Sequence, residues 1–152
     1  MTEPPIEETI TIVDNAGREK VERVTYTVED VFGEKVYVTE EGLQYARDSL
    51  HRKRQVKFVA QLERIPQVLS QPDIVIRDPG FPKDTVIYYK RYYDRHHRRY
   101  RVIAVIIKIQ ASLKFLYNVH PQQSGKVKGY LETPKPEVLY LSPHRKRRDY
   151  GL

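Results

Sequence analysis

The chain of 152 residues has the length of one domain and is long enough to bury an apolar core without covalent cross-links. It contains no cysteine, which excludes disulfides, iron–sulfur clusters, thiolate zinc sites and cysteine nucleophiles. The longest apolar run, Val102 to Ile107, is too short to cross a bilayer, and the acidic, proline-bearing N-terminus differs from a secretory signal. We therefore expect a soluble, cytoplasmic protein with no membrane partner.

The net charge of +7 is unevenly distributed along the chain. Residues 1–42 hold 4 basic and 11 acidic side chains, a net charge of −7, whereas residues 43–152 hold 23 and 9, a net charge of +14. Many of the 12 tyrosines lie among the basic residues of the second part. Because basic surfaces attract phosphates and aromatic rings stack on bases, this pattern favours nucleic-acid contact. The alternative is a β-rich domain whose charges only keep it soluble.

The acidic part predicts a β-hairpin. Thr9 to Val13 alternates between apolar and polar residues, the turn-forming cluster Asp14 to Gly17 follows, and alternation resumes from Lys20 to Val28. Lys35 to Val38 predicts a short further strand, and residues 1–6 are expected to be disordered.

A helix is predicted to begin after Thr39, whose hydroxyl can cap it and which is followed by two glutamates that the helix dipole favours. Apolar residues recur three or four apart to about Ala60, with an interruption expected near His51 to Arg54. Pro66 suits the first turn of a second, short helix that ends before Gln71.

The rest of the chain predicts strands, with a turn at residues 78–82. Tyr100 to Gln110 is apolar on both faces, which is typical of the most buried strand of a sheet. Short connections favour an antiparallel β-meander packed by the N-terminal helices, an α+β fold preceded by the hairpin. We divide this single domain into an acidic hairpin segment (1–38), an α+β core (39–142) and a basic tail (143–152). The predicted strands are Asp73–Arg77, Thr85–Tyr93, Tyr100–Gln110, Leu113–Val119 and Val138–Leu141.

Two histidines are candidates for proton transfer. His120 follows Asn118 by two residues near a strand end, so both project from one face, and the amide could orient the imidazole as a general acid–base. The alternative, an exposed histidine at a loop start, has equal weight. On the first helix, Arg47, His51 and Arg54 are spaced four and three apart and would share one face beside a bound phosphate. The alternative of a solvated helix face is favoured there.

The strand lysines and one turn are further candidates. Lys90 shares a face with Tyr88, and Lys108 interrupts an apolar strand, where a charge is costly to bury unless it reaches water or an anion. The turn from Asp94 to Arg99, which carries Arg98 and Arg99, is typical of a phosphate-contacting segment. Adjacent histidines in it point apart, so no metal site is expected.

The order of several motifs resembles the phage-associated barnase–EndoU–colicin–RelE-like nuclease families. The resemblance covers about residues 36 to 121: a helix with a histidine, a Pro-Asp step into the sheet, Tyr-Tyr-Lys, an apolar strand ending in lysine, and a terminal strand. In this sequence these are His51, Pro72-Asp73, Tyr88-Tyr89-Lys90, Tyr100–Lys108 and Phe115–Val119.

The resemblance implies metal-independent and cofactor-free cleavage of RNA, in which the 2′-hydroxyl attacks the adjacent phosphate. In the leading hypothesis His120 and His51 exchange protons, and Asn118 orients His120. Lys90, Lys108 and Arg54 neutralise the phosphate. The expected partners are RNA or another nucleic acid, together with a protein inhibitor or a phage protein. The residues expected to bind the nucleic acid are Arg47, Arg54, Tyr88, Arg98, Arg99 and Tyr117.

Two alternatives need no catalysis. One is a nucleic-acid-binding or assembly module of phage origin, which the charge and the tyrosines would suffice to explain. The other is a protein-interaction module whose acidic hairpin covers its own basic surface. The hypotheses differ in geometry: cleavage requires His51 and His120 to open onto one groove, whereas histidines on opposite sides of the domain would favour a binding module.

Overall fold

The computed structural model describes residues 8–77, 84–122 and 137–143, which form an α+β fold with two α-helices and an eight-stranded, mostly antiparallel sheet. The helical elements are α1 (Glu40–Arg52), a 3₁₀ helix (Val56–Arg64) and α2 (Ile65–Ser70). The strands are β1 (Thr9–Val13), β2 (Glu19–Glu29), β3 (Lys35–Thr39), β4 (Ile74–Arg77), β5 (Thr85–Asp94), β6 (Arg99–Gln110), β7 (Leu113–Gln122) and β8 (Glu137–Leu141). Each strand predicted from the sequence is confirmed to within a few residues.

The strand order in the sheet is β1-β2-β3-β7-β6-β5-β4-β8. Strands β4, β5, β6 and β7 pair antiparallel in chain order, and β8 pairs with the outer side of β4. The N-terminal strands continue the same sheet, because β3 pairs with β7 in parallel through Val36↔Lys114 and Tyr37↔Phe115. The sequence did not predict this parallel pairing, which joins the acidic hairpin to the basic part of the chain.

Local side-chain bonds form the predicted turn and helix start. The Asp14 carboxylate accepts hydrogen bonds from the backbone N–H groups of Ala16 and Arg18, and Gly17 takes the φ of +78° that the turn requires. The Thr39 hydroxyl accepts from the Gly42 N–H at 3.0 Å and so caps α1, as predicted.

The expectation of a helix reaching Ala60 is wrong beyond Arg52. Helix α1 ends there, Arg54 has a left-handed φ of +56°, and the chain continues as the 3₁₀ helix. The interruption lies where the sequence indicated it, at the run His51 to Arg54, in which the three consecutive cations of Arg52, Lys53 and Arg54 disfavour a continuous helix. The break allows Phe58 and Leu62 to be buried against the sheet.

The sheet has two buried faces. The face that we call the helical face packs against α1, the 3₁₀ helix and α2, and Leu43, Ala46 and Leu50 of α1 belong to its core. The opposite face, which we call the second face, carries a separate cluster that includes Ile87, Ala104 and Ile106. Gly42 allows α1 to lie against β7, since a Cβ atom there would come within 2.9 Å of the Leu116 carbonyl oxygen.

A buried ion pair crosses the sheet on the helical face. Lys114 of β7 donates to the carboxylate of Asp30, in the turn before β3, at 2.9 Å, and Tyr88 of β5 donates to the same oxygen. Burial alone would raise the pKa of Asp30, but the hydrogen bonds from Lys114 and Tyr88 outweigh it and hold that pKa below its usual value. Burial and the Asp30 carboxylate together raise the pKa of Tyr88 above its ordinary value.

Three sequence predictions lie outside the described residues: the disorder of residues 1–6, the turn at 78–82 and the basic tail from residue 144. No helix within the described ranges is both long enough and apolar enough to span a bilayer.

The buried Lys114–Asp30 ion pair predicts that two substitutions near it will differ strongly in their effect on the free energy of unfolding. Lys114→Met leaves the Asp30 charge buried without its cation and should lower the free energy of unfolding by about 3–5 kcal/mol, measured by urea denaturation. Glu34→Gln is the matched control, because Glu34 also lies 3.3 Å from Lys114 but is largely exposed, and its loss should cost about 1 kcal/mol or less. Because the pKa of Asp30 is lowered in the folded state, this stabilisation should be complete above the ordinary aspartate pKa and be lost progressively as the pH falls from there through the lowered pKa of the folded protein. Equal effects of the two substitutions would contradict the assignment.

Candidate functional site

Four of the predicted site residues lie on the second face. Pairing of β6 with β7 places Lys108 opposite Phe115, and after an irregularity at Ile106/Ile107 it places Asn118 opposite Ile106 and His120 opposite Ala104. Tyr117 is the extra residue of this β-bulge, and the Lys108 ammonium lies over its ring. We call Lys108, Tyr117, Asn118 and His120 the β7 cluster.

Within the β7 cluster, a polar side chain of the hairpin turn bridges Lys108 and Tyr117. The Lys108 ammonium donates to the Asn15 amide oxygen at 2.8 Å and lies 4.1 Å from the centroid of the Tyr117 ring. The Asn15 amide nitrogen donates to the Tyr117 hydroxyl at 3.4 Å. This hydrogen bond is the largest influence on the Tyr117 phenol and, with Tyr45 and the Lys108 charge, outweighs burial and lowers its pKa.

Helix α1 contributes two residues that the sequence analysis did not select. The Tyr45 ring lies 5.5 Å from the Tyr117 ring, and hydrogen bonding to Tyr117, followed by burial, raises the pKa of Tyr45 against the opposing influence of Arg52. Tyr45 and Arg52 are seven residues apart, two helical turns, so they lie on one side of α1. That spacing was visible in the sequence, but only the contact with Tyr117 shows which side of the helix it marks. Tyr45 borders, with Asn15, Lys108 and Tyr117, a cavity of about 180 Å³ between the hairpin turn, α1 and β7.

The remaining members of the β7 cluster follow along the strand. Asn118 is buried, and its amide oxygen accepts a hydrogen bond from the Val119 N–H at 2.8 Å. His120 is half-buried, with its Nδ1 atom 3.2 Å from the Pro121 carbonyl oxygen. Asn118 and His120 therefore share a face, as the sequence predicted.

Lys90 and Tyr88 belong to the other face. Lys90 pairs with Ile103 of the helical-face core, and its ammonium donates to the Gln71 carbonyl oxygen at 2.6 Å. The sheet therefore separates Lys90 from Lys108. Tyr88 is fully buried and bonded to Asp30, so the prediction that it contacts nucleic acid is wrong: its aromatic ring completes the core.

The basic residues of the first helix do not form one face. Arg54 lies beyond the end of α1 in a left-handed conformation, so the predicted alignment with Arg47 and His51 is wrong. His51 is exposed in the last turn of α1, away from the buried side formed by Leu43, Ala46 and Leu50. Helix α1 packs on the helical face, His120 lies on the second face, and His51 is not among the residues that line the cavity between α1 and the β7 cluster.

The other end of the sheet carries an exposed aromatic group. Tyr93 and Tyr100 are paired across β5 and β6, their ring centroids are 5.2 Å apart, and they are 47 % and 56 % exposed. The Arg91 guanidinium lies 4.0 Å from the centroid of the Tyr100 ring. We call Arg91, Tyr93 and Tyr100 the tyrosine–arginine surface; it lies on the second face.

The arginines predicted to contact phosphates adjoin this surface. Arg98 and Arg99 are exposed at the connection between β5 and β6, where Arg98 has a left-handed φ of +51°. The Asp94 carboxylate organises the connection by accepting hydrogen bonds from the backbone N–H groups of His96 and His97. Over the part of the chain that the structure describes, no three histidine, aspartate or glutamate side chains form a group that could hold a metal ion.

Comparison with protein-family models, with curated proteins and with solved structures found no match for this chain.

The contact between Asn15 and Tyr117 predicts a measurable change in acidity. Asn15→Ala removes the hydrogen bond that stabilises the phenolate, so the pKa of Tyr117 should rise toward that of an ordinary tyrosine. A titration of ¹³Cζ-labelled tyrosines by NMR, with Tyr117→Phe to assign the resonance, measures it. Asn118→Ala removes an amide from the same face without touching the phenol and should leave the titration unchanged. A Tyr117 resonance that titrates identically with and without Asn15 would contradict this account.

Proposed function

We propose that this protein binds single-stranded RNA, and that unpaired bases stack on the tyrosine–arginine surface. The observation that carries the proposal is the exposed Tyr93–Tyr100 pair with Arg91 against it. The proposal takes β5, β6 and β7 as an antiparallel meander with the helices on one face, so that the exposed end of the β5–β6 hairpin on the other face is left to the ligand.

Exposure of these rings argues for a ligand. Tyr93 and Tyr100 have about half of their surface in water and so lack apolar contacts that a buried tyrosine makes. Tyr88 and Tyr89, in the same strand as Tyr93, are by contrast almost fully buried. Aromatic rings on a sheet surface are the usual platform for bases of a single strand, because every base has a face that can stack. The Arg91 guanidinium adds a cation that can interact with both a ring and a phosphate.

The charge around the rings suits a polyanion. Arg98 and Arg99 are exposed at the adjoining connection, and Arg95 is exposed there too. Three guanidinium groups next to a pair of aromatic rings provide phosphate contacts at the place where the bases would stack. This arrangement favours a flexible single strand over a duplex, whose bases are stacked on each other and not accessible to the tyrosines.

Binding ranks above cleavage because the residues expected to catalyse are divided. His51 and Lys90 belong to the helical side of the sheet, whereas Lys108 and His120 belong to the second face. A transesterification needs its acid, base and cations around one phosphate. Binding needs only the exposed rings and charges.

The tyrosine surface predicts which substitutions weaken binding. Tyr93→Ala and Tyr100→Ala should each weaken binding of a short oligouridylate by about tenfold, since a stacked base contributes roughly 1–3 kcal/mol. Fluorescence anisotropy measures the affinity. Tyr45→Ala is the matched control, because Tyr45 is 42 % exposed but lies on α1.

Salt dependence separates phosphate contacts from stacking. Arg98→Ala and Arg99→Ala should each reduce the slope of log K against log salt by about 0.7 for a single-stranded ligand. Affinity that is indifferent to Tyr93, Tyr100 and both arginines would contradict the proposal. Equally tight binding of single-stranded DNA would leave the surface correct and the preference for RNA wrong.

A second candidate function is metal-independent RNA cleavage at the β7 cluster. It is favoured by one observation: Lys108, Tyr117, Asn118 and His120 share the second face, and the phenol of Tyr117 has a lowered pKa. In this function His120 and Tyr117 would transfer protons while Lys108 neutralises the phosphate.

Cleavage is tested in excess chelator with a fluorogenic oligoribonucleotide. If the β7 cluster is catalytic, His120→Ala and Lys108→Met should each lower the rate by about a hundredfold or more, as is typical for general acid–base and electrostatic groups, while His51→Ala and Lys90→Met leave it nearly unchanged. Deoxyribose at the cleavage position should abolish the reaction, because the nucleophile is the 2′-hydroxyl. No cleavage across mildly acidic to mildly alkaline pH would eliminate this candidate and leave binding as the function.

A further inference from the structure

A second cavity lies on the helical side of the β5–β6 hairpin, with a volume of about 270 Å³. The 3₁₀ helix forms one wall and the hairpin forms the other. Its base is apolar: Phe58 and Tyr92 are 5 % and 7 % exposed. The volume is slightly below the usual range of ligand pockets, about 300–1,000 Å³, so the cavity suits a small ligand or one end of a larger one. The polar side chains that line it are Lys57, Gln61, Asp94, His96, His97 and Arg101.

Asp94 fixes two of the nitrogen-bearing side chains in this cavity. One carboxylate oxygen lies 2.8 Å from the His97 Nδ1 atom and 3.5 Å from the Arg101 Nε atom. The other accepts the two backbone N–H bonds that shape the connection. The hydrogen bond from His97, followed by those backbone bonds, lowers the pKa of Asp94 to about 2, so the carboxylate is ionised at any physiological pH.

These contacts leave donors for a ligand. With its Nδ1 atom on Asp94, the His97 ring has its Nε2 atom for another partner. Arg101 uses its Nε on Asp94 and also makes a side-chain hydrogen bond with Tyr92; a guanidinium has five N–H donors, so others can donate to an anion. Lys57 is exposed at the rim, and the Arg64 guanidinium, 4.8 Å from the Tyr92 ring centroid, adds positive charge behind the apolar base.

We infer that this cavity binds a nucleotide through its phosphate monoester, held by Lys57, His97 and Arg101. A monoester carries between one and two negative charges at neutral pH and three acceptor oxygens, which suits three convergent donors better than the single charge of a bridging phosphodiester. The inference rests on the proposed RNA binding for its biological context, because the cavity would then receive the phosphorylated end of a strand.

The position of the cavity supports this link. Tyr92 and Tyr93 are consecutive residues of β5 and point to opposite faces, so the cavity and the tyrosine–arginine surface are the two sides of one hairpin. The exposed arginines of the connection lie between the two sides. A strand stacked on Tyr93 and Tyr100 can therefore bring its end around the connection to the cavity past the exposed side chains of Arg95, Arg98 and Arg99.

The test compares probes that differ only in their phosphate. The affinity of the full-length protein is measured for one short oligouridylate with a 5′-phosphate, a 3′-phosphate or hydroxyls at both ends. One phosphorylated form should bind about tenfold more tightly than the hydroxyl form, as expected for charge-assisted hydrogen bonds made only by the monoester. Uridine 5′-monophosphate and uridine are compared separately by NMR, through the backbone amide shifts of Lys57 and His97.

Variants assign the preference to the cavity. Lys57→Met and His97→Gln should remove the preference for the phosphorylated strand and leave binding of the hydroxyl form unchanged. Lys53→Met is the matched control, since it removes an equivalent charge just after α1, outside the cavity, and should preserve the preference. Tyr93→Ala should weaken all three strands equally, which distinguishes a failure of the tyrosine–arginine surface from a failure of the cavity.

Each outcome decides the inference. A preference for one strand end that depends on Lys57 and His97 supports it, and identifies which end is bound. If RNA does not bind at all but the monophosphate shifts these amides and uridine does not, the proposed function fails while the cavity is a site for free nucleotides. Equal affinity for the three strands together with no shift by the monophosphate overturns the inference, as does a preference that survives both cavity variants.

Discussion

The ion pair between Lys114 and Asp30 lies at the only place where the described strands pair in parallel. Strands β3 and β7 share two register pairs, and one of them includes Lys114 itself. So short a pairing between distant segments has few backbone bonds to offset the chain entropy that it costs. The Lys114–Asp30 contact adds a charge-assisted bond at that point, and Tyr88 extends it to β5. The acidic hairpin and the basic strands thus meet in one sheet at a point where opposite charges pair within it and where Val36 of β3 is buried in the core.

The sheet then determines which side chains can act together. Alternation along β5 and β6 assigns successive residues to opposite faces, so Tyr88 and Lys90 join the helical core while Lys108 lies with the β7 cluster. The polar groups consequently lie in three places. One is the β7 cluster, the second is the tyrosine–arginine surface on the second face of the β5–β6 hairpin, and the third is the cavity on the helical side of that hairpin. Residues that are adjacent in sequence therefore belong to different sites: Tyr92 lines the cavity, and Tyr93 is part of the tyrosine–arginine surface.

Elements with local causes could be predicted from the sequence. The strands with alternating residues, the turn at Gly17 and the cap at Thr39 depend on residues within a few positions of each other. The structure contains all three. The β3–β7 pairing depends on residues nearly eighty positions apart and has no local signature. The candidate site was predicted in part: Asn118 and His120 share a face by simple alternation. Partners contributed by other elements, such as Asn15 and Tyr45, could not be identified, because a sequence shows which residues share a face but not which face meets which neighbour.

Tyr117 differs from its neighbours in β7 because it is the extra residue of the β-bulge. On one side of it Leu116 pairs with Ile107, and on the other Asn118 pairs with Ile106, so these two pairs would be consecutive in a chain that lacked Tyr117. Tyr117 is in this sense an insertion that the ladder accommodates and does not require. Evolution could gain or lose the phenol by a single-codon insertion or deletion without shifting the register of either half of the strand. A sheet can in this way acquire a reactive group while every paired residue keeps its place.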